Sequence, residues 1–96
     1  MANVCVNQLR IYAENEENQK YVTDFLKRKL KADIEGDNIN IEAFFDSKWM
    51  FPADIMDELY KGMPDKDDID MTCLSVEWGC HYCEFHFCDK DGWYID

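Results

Sequence analysis

The sequence predicts an α+β domain in which two helices cover one face of a sheet, a two-layer sandwich. Two observations carry this. Segments whose apolar residues recur every second position alternate with segments whose apolar residues recur at helical spacing. The chain of 96 residues is also 47% apolar and 15% aromatic, enough for one modest core in one domain spanning residues 1–96. The expected order is β-α-β-α-β-β, with an optional short fifth strand and both helices on one side.

Val4 to Tyr12 reads as the first strand. Cys5, Leu9 and Ile11 share a face, with Val4, Val6, Gln8, Arg10 and Tyr12 on the other. Asn15 or Asn18 caps the helix that follows. Glu16 and Glu17 at its start and Lys27 to Lys31 at its end complement the helix dipole. Val22, Phe25, Leu26 and Leu30 form its apolar stripe. Gly36 with Asp37-Asn38 makes the stop and turn.

Ile39, Ile41, Ala43 and Phe45 alternate with Asn40, Glu42 and Phe44 as a second strand. Pro52 suits the first turn of the second helix, where its missing N–H costs nothing. Trp49 is expected to be at least half buried at that junction. Ile55, Met56, Leu59 and Tyr60 form the buried stripe, and Gly62 and Pro64 end the helix. Leu74, Val76 and Trp78 share a face of the next strand, as do Cys83, Phe85 and Phe87 of the one after. A tight turn near Gly79-Cys80 pairs Val76 with Cys83 and Leu74 with Phe85, giving one apolar face. Asp91-Gly92 turns the chain into a short last strand, Trp93 to Ile95.

The charge is lopsided. Residues 1–32 hold six Lys/Arg against four acids, whereas residues 33–96 hold four Lys against seventeen acids, and the whole chain carries −11. Such a surface repels nucleic acid and anionic membranes and steers the chain toward basic proteins. No apolar run approaches the roughly 18 residues that span a bilayer. The opening MANVCVNQLR lacks the basic start and apolar stretch of a signal peptide, so a cytoplasmic protein is expected. Five cysteines, an odd number in such a chain, point to free thiols rather than a disulfide framework.

Cys80-His81-Tyr82-Cys83-Glu84-Phe85-His86-Phe87-Cys88 has zinc-type ligands, but on a strand Cys83 points away from His86 and Cys88. Cys88 also lies about 16 Å beyond Cys83, at roughly 3.3 Å per residue. A Cys80/Cys83 redox pair would sit at a hairpin turn among carboxylates, not at the helix N-terminus that lowers a thiol pKa. No metal, cofactor or catalytic residue is therefore expected. The open sheet face is expected to show Tyr12, Phe44, Tyr82 and His86. Aromatics so placed stack bases in RNA-recognition modules. Here Glu42, Glu77 and Glu84 outweigh Arg10, which suits a protein partner instead. The basic run Lys27-Arg28-Lys29 with Lys31 is a helix C-terminal turn, where cations are expected.

Phe45-Asp46-Ser47-Lys48-Trp49-Met50-Phe51-Pro52 leads from a strand into a helix. That helix ends at Met63-Pro64-Asp65, and the following strand ends at Glu77-Trp78-Gly79. With the opening Ala2-Asn3-Val4-Cys5-Val6-Asn7-Gln8-Leu9, this pattern resembles the YubB-like, ferredoxin-like domain of small phage, plasmid and mobile-element proteins. The Cys80–Cys88 stretch lies outside that pattern. The resemblance implies a ferredoxin-like variant and a mobile-element setting, with no activity to carry over.

Asp54, Asp57 and Glu58 share a helix face, and Asp65, Asp67, Asp68 and Asp70 crowd the next loop. Together with that setting, they lead to the expectation of a non-enzymatic inhibitor. It would occupy the nucleic-acid-binding surface of a basic bacterial protein, such as a CRISPR effector, without binding nucleic acid or membrane itself. The alternatives are an accessory module binding through the open sheet face, and a metal or thiol site in the last hairpin.

Overall fold

The computed structural model describes residues 4–95, apart from the side chain of Cys80. The Ala2-Asn3 opening therefore lies outside the described residues. Strand β1 (Val4–Tyr12) leads to helix α1 (Glu16–Phe25), which widens into a π-helical turn at Leu26–Leu30. Strands β2 (Asp33–Gly36) and β3 (Asn40–Lys48) precede helix α2 (Ala53–Lys61). Strands β4 (Asp70–Glu77), β5 (Tyr82–Asp89) and β6 (Gly92–Ile95) complete the chain. All six strands form one antiparallel sheet in the order β2-β3-β1-β4-β5-β6.

Strand β2 is an addition to the expected order. Ile34 is the sole apolar residue in its Asp-Ile-Glu-Gly sequence, so alternation cannot announce it. Backbone geometry creates it. Lys31 takes a left-handed conformation (φ 50°) that ends the π-helical turn and reverses the chain. Gly36 has φ 91°, and a Cβ there would sit 2.2 Å from the Asn40 carbonyl oxygen. Asp37 Oδ1 accepts from the Ile39 and Asn40 amides at 2.9 and 2.7 Å, which closes the hairpin onto β3.

The core lies between the sheet and both helices. Leu9 and Ile11 of β1, Ile41, Ala43 and Phe45 of β3, and Met71 and Cys73 of β4 meet Val22, Phe25 and Leu26 from the first helical segment. Met56 and Leu59 of α2 join the same cluster. Asn15 caps α1, its side chain accepting from the Glu17 and Asn18 amides. Asn18, the other cap candidate, is buried instead. It donates to the Asp65 carbonyl at 2.8 Å and accepts from the Asp65 amide at 2.9 Å, fastening the loop after α2 to α1.

Three apolar residues depart from expectation. Ile39 is exposed because it belongs to the turn before β3. Trp78 leaves the strand for a 3-10 turn and is 78% exposed. At the entrance to α2, Phe51 rather than Trp49 fills the core. Trp49 is 50% exposed with φ 72°, whereas Phe51 is buried. The positive φ turns the chain sharply after β3, and Phe51 is the next apolar residue able to face inward. Pro52 takes the cap position and Ala53 begins the helix, one residue later than expected.

Candidate docking face

The side of the sheet away from the helices is set by β1. Its Leu9 and Ile11 enter the core, which leaves Val4, Val6, Gln8, Arg10 and Tyr12 facing outward. Directly paired residues on neighbouring strands point to the same side. Leu9 pairs with Cys73, Ile11 with Met71 and Asn7 with Ser75, so β4 turns Met71, Cys73, Ser75 and Glu77 toward the helices. Leu74 and Val76, paired with Gln8 and Val6, must then face outward. Val76 does pair with Cys83 and Leu74 with Phe85. This apolar ladder thus forms as expected but lies on the open side instead of on the core.

Two of the inward positions on β4, Ser75 and Glu77, are polar, and they are satisfied. Asn7 donates to the Phe45 carbonyl at 3.2 Å and to Ser47 Oγ at 2.9 Å, while its Oδ1 accepts from Ser75 Oγ at 2.7 Å. Buried Glu77 accepts from the Gly79 amide at 2.6 Å, closing the turn after β4. Each hydrogen bond removes the penalty of a buried unpaired polar group.

Tyr82 and His86 fall on the covered side, correcting their expected place on the open face. They pair with Glu77 and Cys73, both inward-facing. The Tyr82 hydroxyl accepts from the Phe51 amide at 3.1 Å and donates to Glu84 Oε1. Burial and that donation push its pKa up to about 12. His86 stacks on Phe51, and its Nδ1 is buried without a hydrogen-bond partner. Burial lowers its pKa, with Glu84 opposing.

Tyr12 and Phe44 do lie on the open side, Tyr12 exposed and Phe44 half-buried. The apolar part of that face is Val4, Val6, Leu74, Val76, Phe85 and Phe87, extended by Tyr94. Phe85 meets Phe87 edge-on at 4.8 Å, and Phe87 stacks on Tyr94 at 5.6 Å. The neighbouring part, on β2 and β3, carries Asp33, Glu35, Glu42 and Asp46. Arg10 pairs with Glu42 at 2.8 Å. A shallow depression of about 520 Å³, lined by Arg10, Tyr12, Glu35, Asn40, Glu42 and Thr72 among others, lies at this acidic end. The β1–β4 register was the missing signal, because neither β4 nor β5 alone reveals which of its faces is covered.

The acids singled out in the sequence divide by role. Asp54, Asp67 and Asp70 are exposed. Asp57 pairs with Lys61 at 3.0 Å and Glu58 with Lys29 at 3.3 Å. Asp65 accepts from the Asp67 amide at 3.1 Å, and Asp68 accepts from the Asn15 amide at 2.7 Å. Four of the seven are thus engaged with cations or with backbone amides. Cys83 lies on the open side, whereas Cys88 is buried on the other. Burial pushes the Cys73 and Cys88 thiols up to about 11 and about 12, which keeps both protonated at neutral pH. Among the described residues, no three His, Cys, Asp or Glu side chains form a group able to hold a metal ion. No described helix is long and apolar enough to cross a membrane.

No family model, curated protein or solved structure matches the chain.

Proposed function

We propose that this chain is a non-enzymatic, acidic protein-binding domain that docks on a basic partner through the open side of its sheet. The first four strands and two helices, in the strand order β2-β3-β1-β4, support classing it as a ferredoxin-like two-layer sandwich extended by β5 and β6. The observation that carries the reading is the apolar ladder of Leu74, Val76, Phe85 and Phe87 on the side that neither described α-helix covers. Exposed contiguous apolar surface of this kind marks interaction sites. The charge of −11 adds long-range steering toward a basic protein, and it disfavours nucleic acid as the direct ligand. A basic bacterial nucleic-acid-binding protein, the partner expected from the segregated acids together with the mobile-element setting, fits that preference. The acids of α2 and the following loop contribute steering, because four of the seven already hold ion pairs or backbone amides.

Affinity capture from a bacterial lysate, followed by reconstitution with the purified partner, tests this. Phe85→Glu with Leu74→Glu should abolish the reconstituted complex. Reversal of Asp54, Asp57 and Glu58 to Lys should mainly slow association. The opposite ranking would assign docking to the acidic helix and overturn the sheet-face reading. DNA or RNA should compete if the partner uses its nucleic-acid site.

A further inference from the structure

Resting on the docking reading above, we infer that the open face receives an amphipathic basic helix of the partner, apolar along one side with Lys or Arg along its flank. The face is divided in two across the strands, and the division specifies the occupant. On β4, β5 and β6, Leu74, Val76, Phe85, Phe87 and Tyr94 present carbon, continued onto β1 by Val6. On β3 and β2, Asp46, Glu42, Glu35 and Asp33 present carboxylates around the half-buried Phe44, with Arg10, which pairs with Glu42, and Lys48 the cations on the same side of their strands. Neighbouring strands are about 4.8 Å apart, so the apolar block is roughly 15 Å wide and the carboxylates begin one strand beyond it. A helix is about 10–12 Å across with its side chains. Its apolar stripe therefore fits on the carbon block, and cations on its flank reach the carboxylates. A purely basic segment would leave the ladder wet, and a purely apolar one would desolvate the carboxylates without pairing them.

The sheet edges argue for the face as the contact. Strands β2 and β6 are four residues each, too short to template a long added strand. The depression of about 520 Å³ beside Arg10, Glu42 and Glu35 gives a long Lys or Arg side chain room to lie. A second copy of this chain would bring like charge against like charge, which opposes self-association through this face.

The test uses the full chain and a synthetic 18-residue Leu/Lys peptide with helical amphipathic spacing. Controls are the same composition scrambled and a Leu/Glu peptide of the same pattern. Backbone amide shifts recorded by NMR during titration should move on β1, β3, β4 and β5 with the Leu/Lys helix and with neither control. Phe85→Glu should weaken binding at least tenfold, and Glu42→Lys with Glu35→Lys several-fold, the latter loss shrinking as salt is raised. Circular dichroism of each variant verifies the fold, and Phe85→Ser supplies a gentler replacement if the glutamate variant unfolds. Equal binding of the scrambled peptide, shifts confined to α2, no binding at all, or a dimer by sedimentation that hides this face would overturn the inference. If the Leu/Lys helix fails while a reconstituted partner still depends on Phe85, the helix is wrong and the docking face stands. If both fail to depend on Phe85, the docking reading falls as well.

Discussion

The ring of His86 lies flat on that of Phe51, with centroids 3.7 Å apart and 11° between the planes. This contact joins β5 to the start of α2 in place of the tryptophan contact expected at that junction. It also places an ionisable ring against an aromatic core residue. The Glu84 carboxylate lies 3.6 Å from His86 Nε2.

Stability should therefore depend on pH through His86. Its folded pKa is depressed by burial, against about 6.5 in an unfolded chain. Between these values the unfolded state binds more protons, so stability rises with pH. The contribution is fully present above about pH 6.5 and is lost as pH falls through the depressed folded pKa. Urea midpoints from pH 7.5 to 5 should fall more for the native chain than for His86→Phe, which keeps the stack without the proton site. Parallel curves would show that His86 titrates alike in both states.

The same junction distinguishes Phe51 from Trp49. Phe51→Ala removes a buried ring and should cost about 3–5 kcal/mol. Trp49→Ala should cost under about 1 kcal/mol, since the side chain is half exposed. Trp49→Gly should be neutral or stabilising, because φ 72° is a conformation glycine adopts without strain. Denaturant unfolding of the three variants gives the ranking.

Asn7 ties three strands together through Phe45, Ser47 and Ser75. Asn7→Ala should cost on the order of 2 kcal/mol or more, because it leaves Ser75 Oγ and the Phe45 carbonyl without that partner inside the protein. Ser75→Ala in the same background should add little, since its hydroxyl has already lost the bond. A double-mutant cycle measures this coupling, and strict additivity would show that the two side chains act independently.

Much of this fold is written in short-range pattern. Asn15 shows itself, with Asn18, as one of two cap candidates; Val22, Phe25 and Leu26 show as a stripe, and Val76 and Leu74 as the partners of Cys83 and Phe85. The side that this hairpin turns to the helices is not written there. Strand β4 has Met71 and Cys73 on one side and Leu74 and Val76 on the other, so hydrophobicity alone favours neither clearly. Pairing with β1 decides, since Gln8, Arg10 and Tyr12 belong outside and carry Leu74 and Val76 with them. Strand β2 escapes notice because Lys31 and Gly36 create it through backbone conformation. The apolar ladder on the open face was legible as a unit, but its position required the register between non-adjacent segments.

That register gives the last prediction. Leu74 and Cys73 are consecutive residues of β4, one half-buried on the open side and the other fully buried in the core. Leu74→Lys places the ammonium where its long stem can reach water, so the domain should stay folded and lose under about 2 kcal/mol. Cys73→Lys forces the ammonium among Leu9, Met71 and their neighbours, and an uncompensated buried charge costs roughly 3–5 kcal/mol or more. On a domain with about 5–10 kcal/mol of stability to lose, that should leave a largely unfolded or much weakened chain. Thermal unfolding by circular dichroism compares the two directly. Were Leu74→Lys the more damaging, the β4–β5 hairpin would face the other way, and the apolar ladder would belong to the core instead of to a partner.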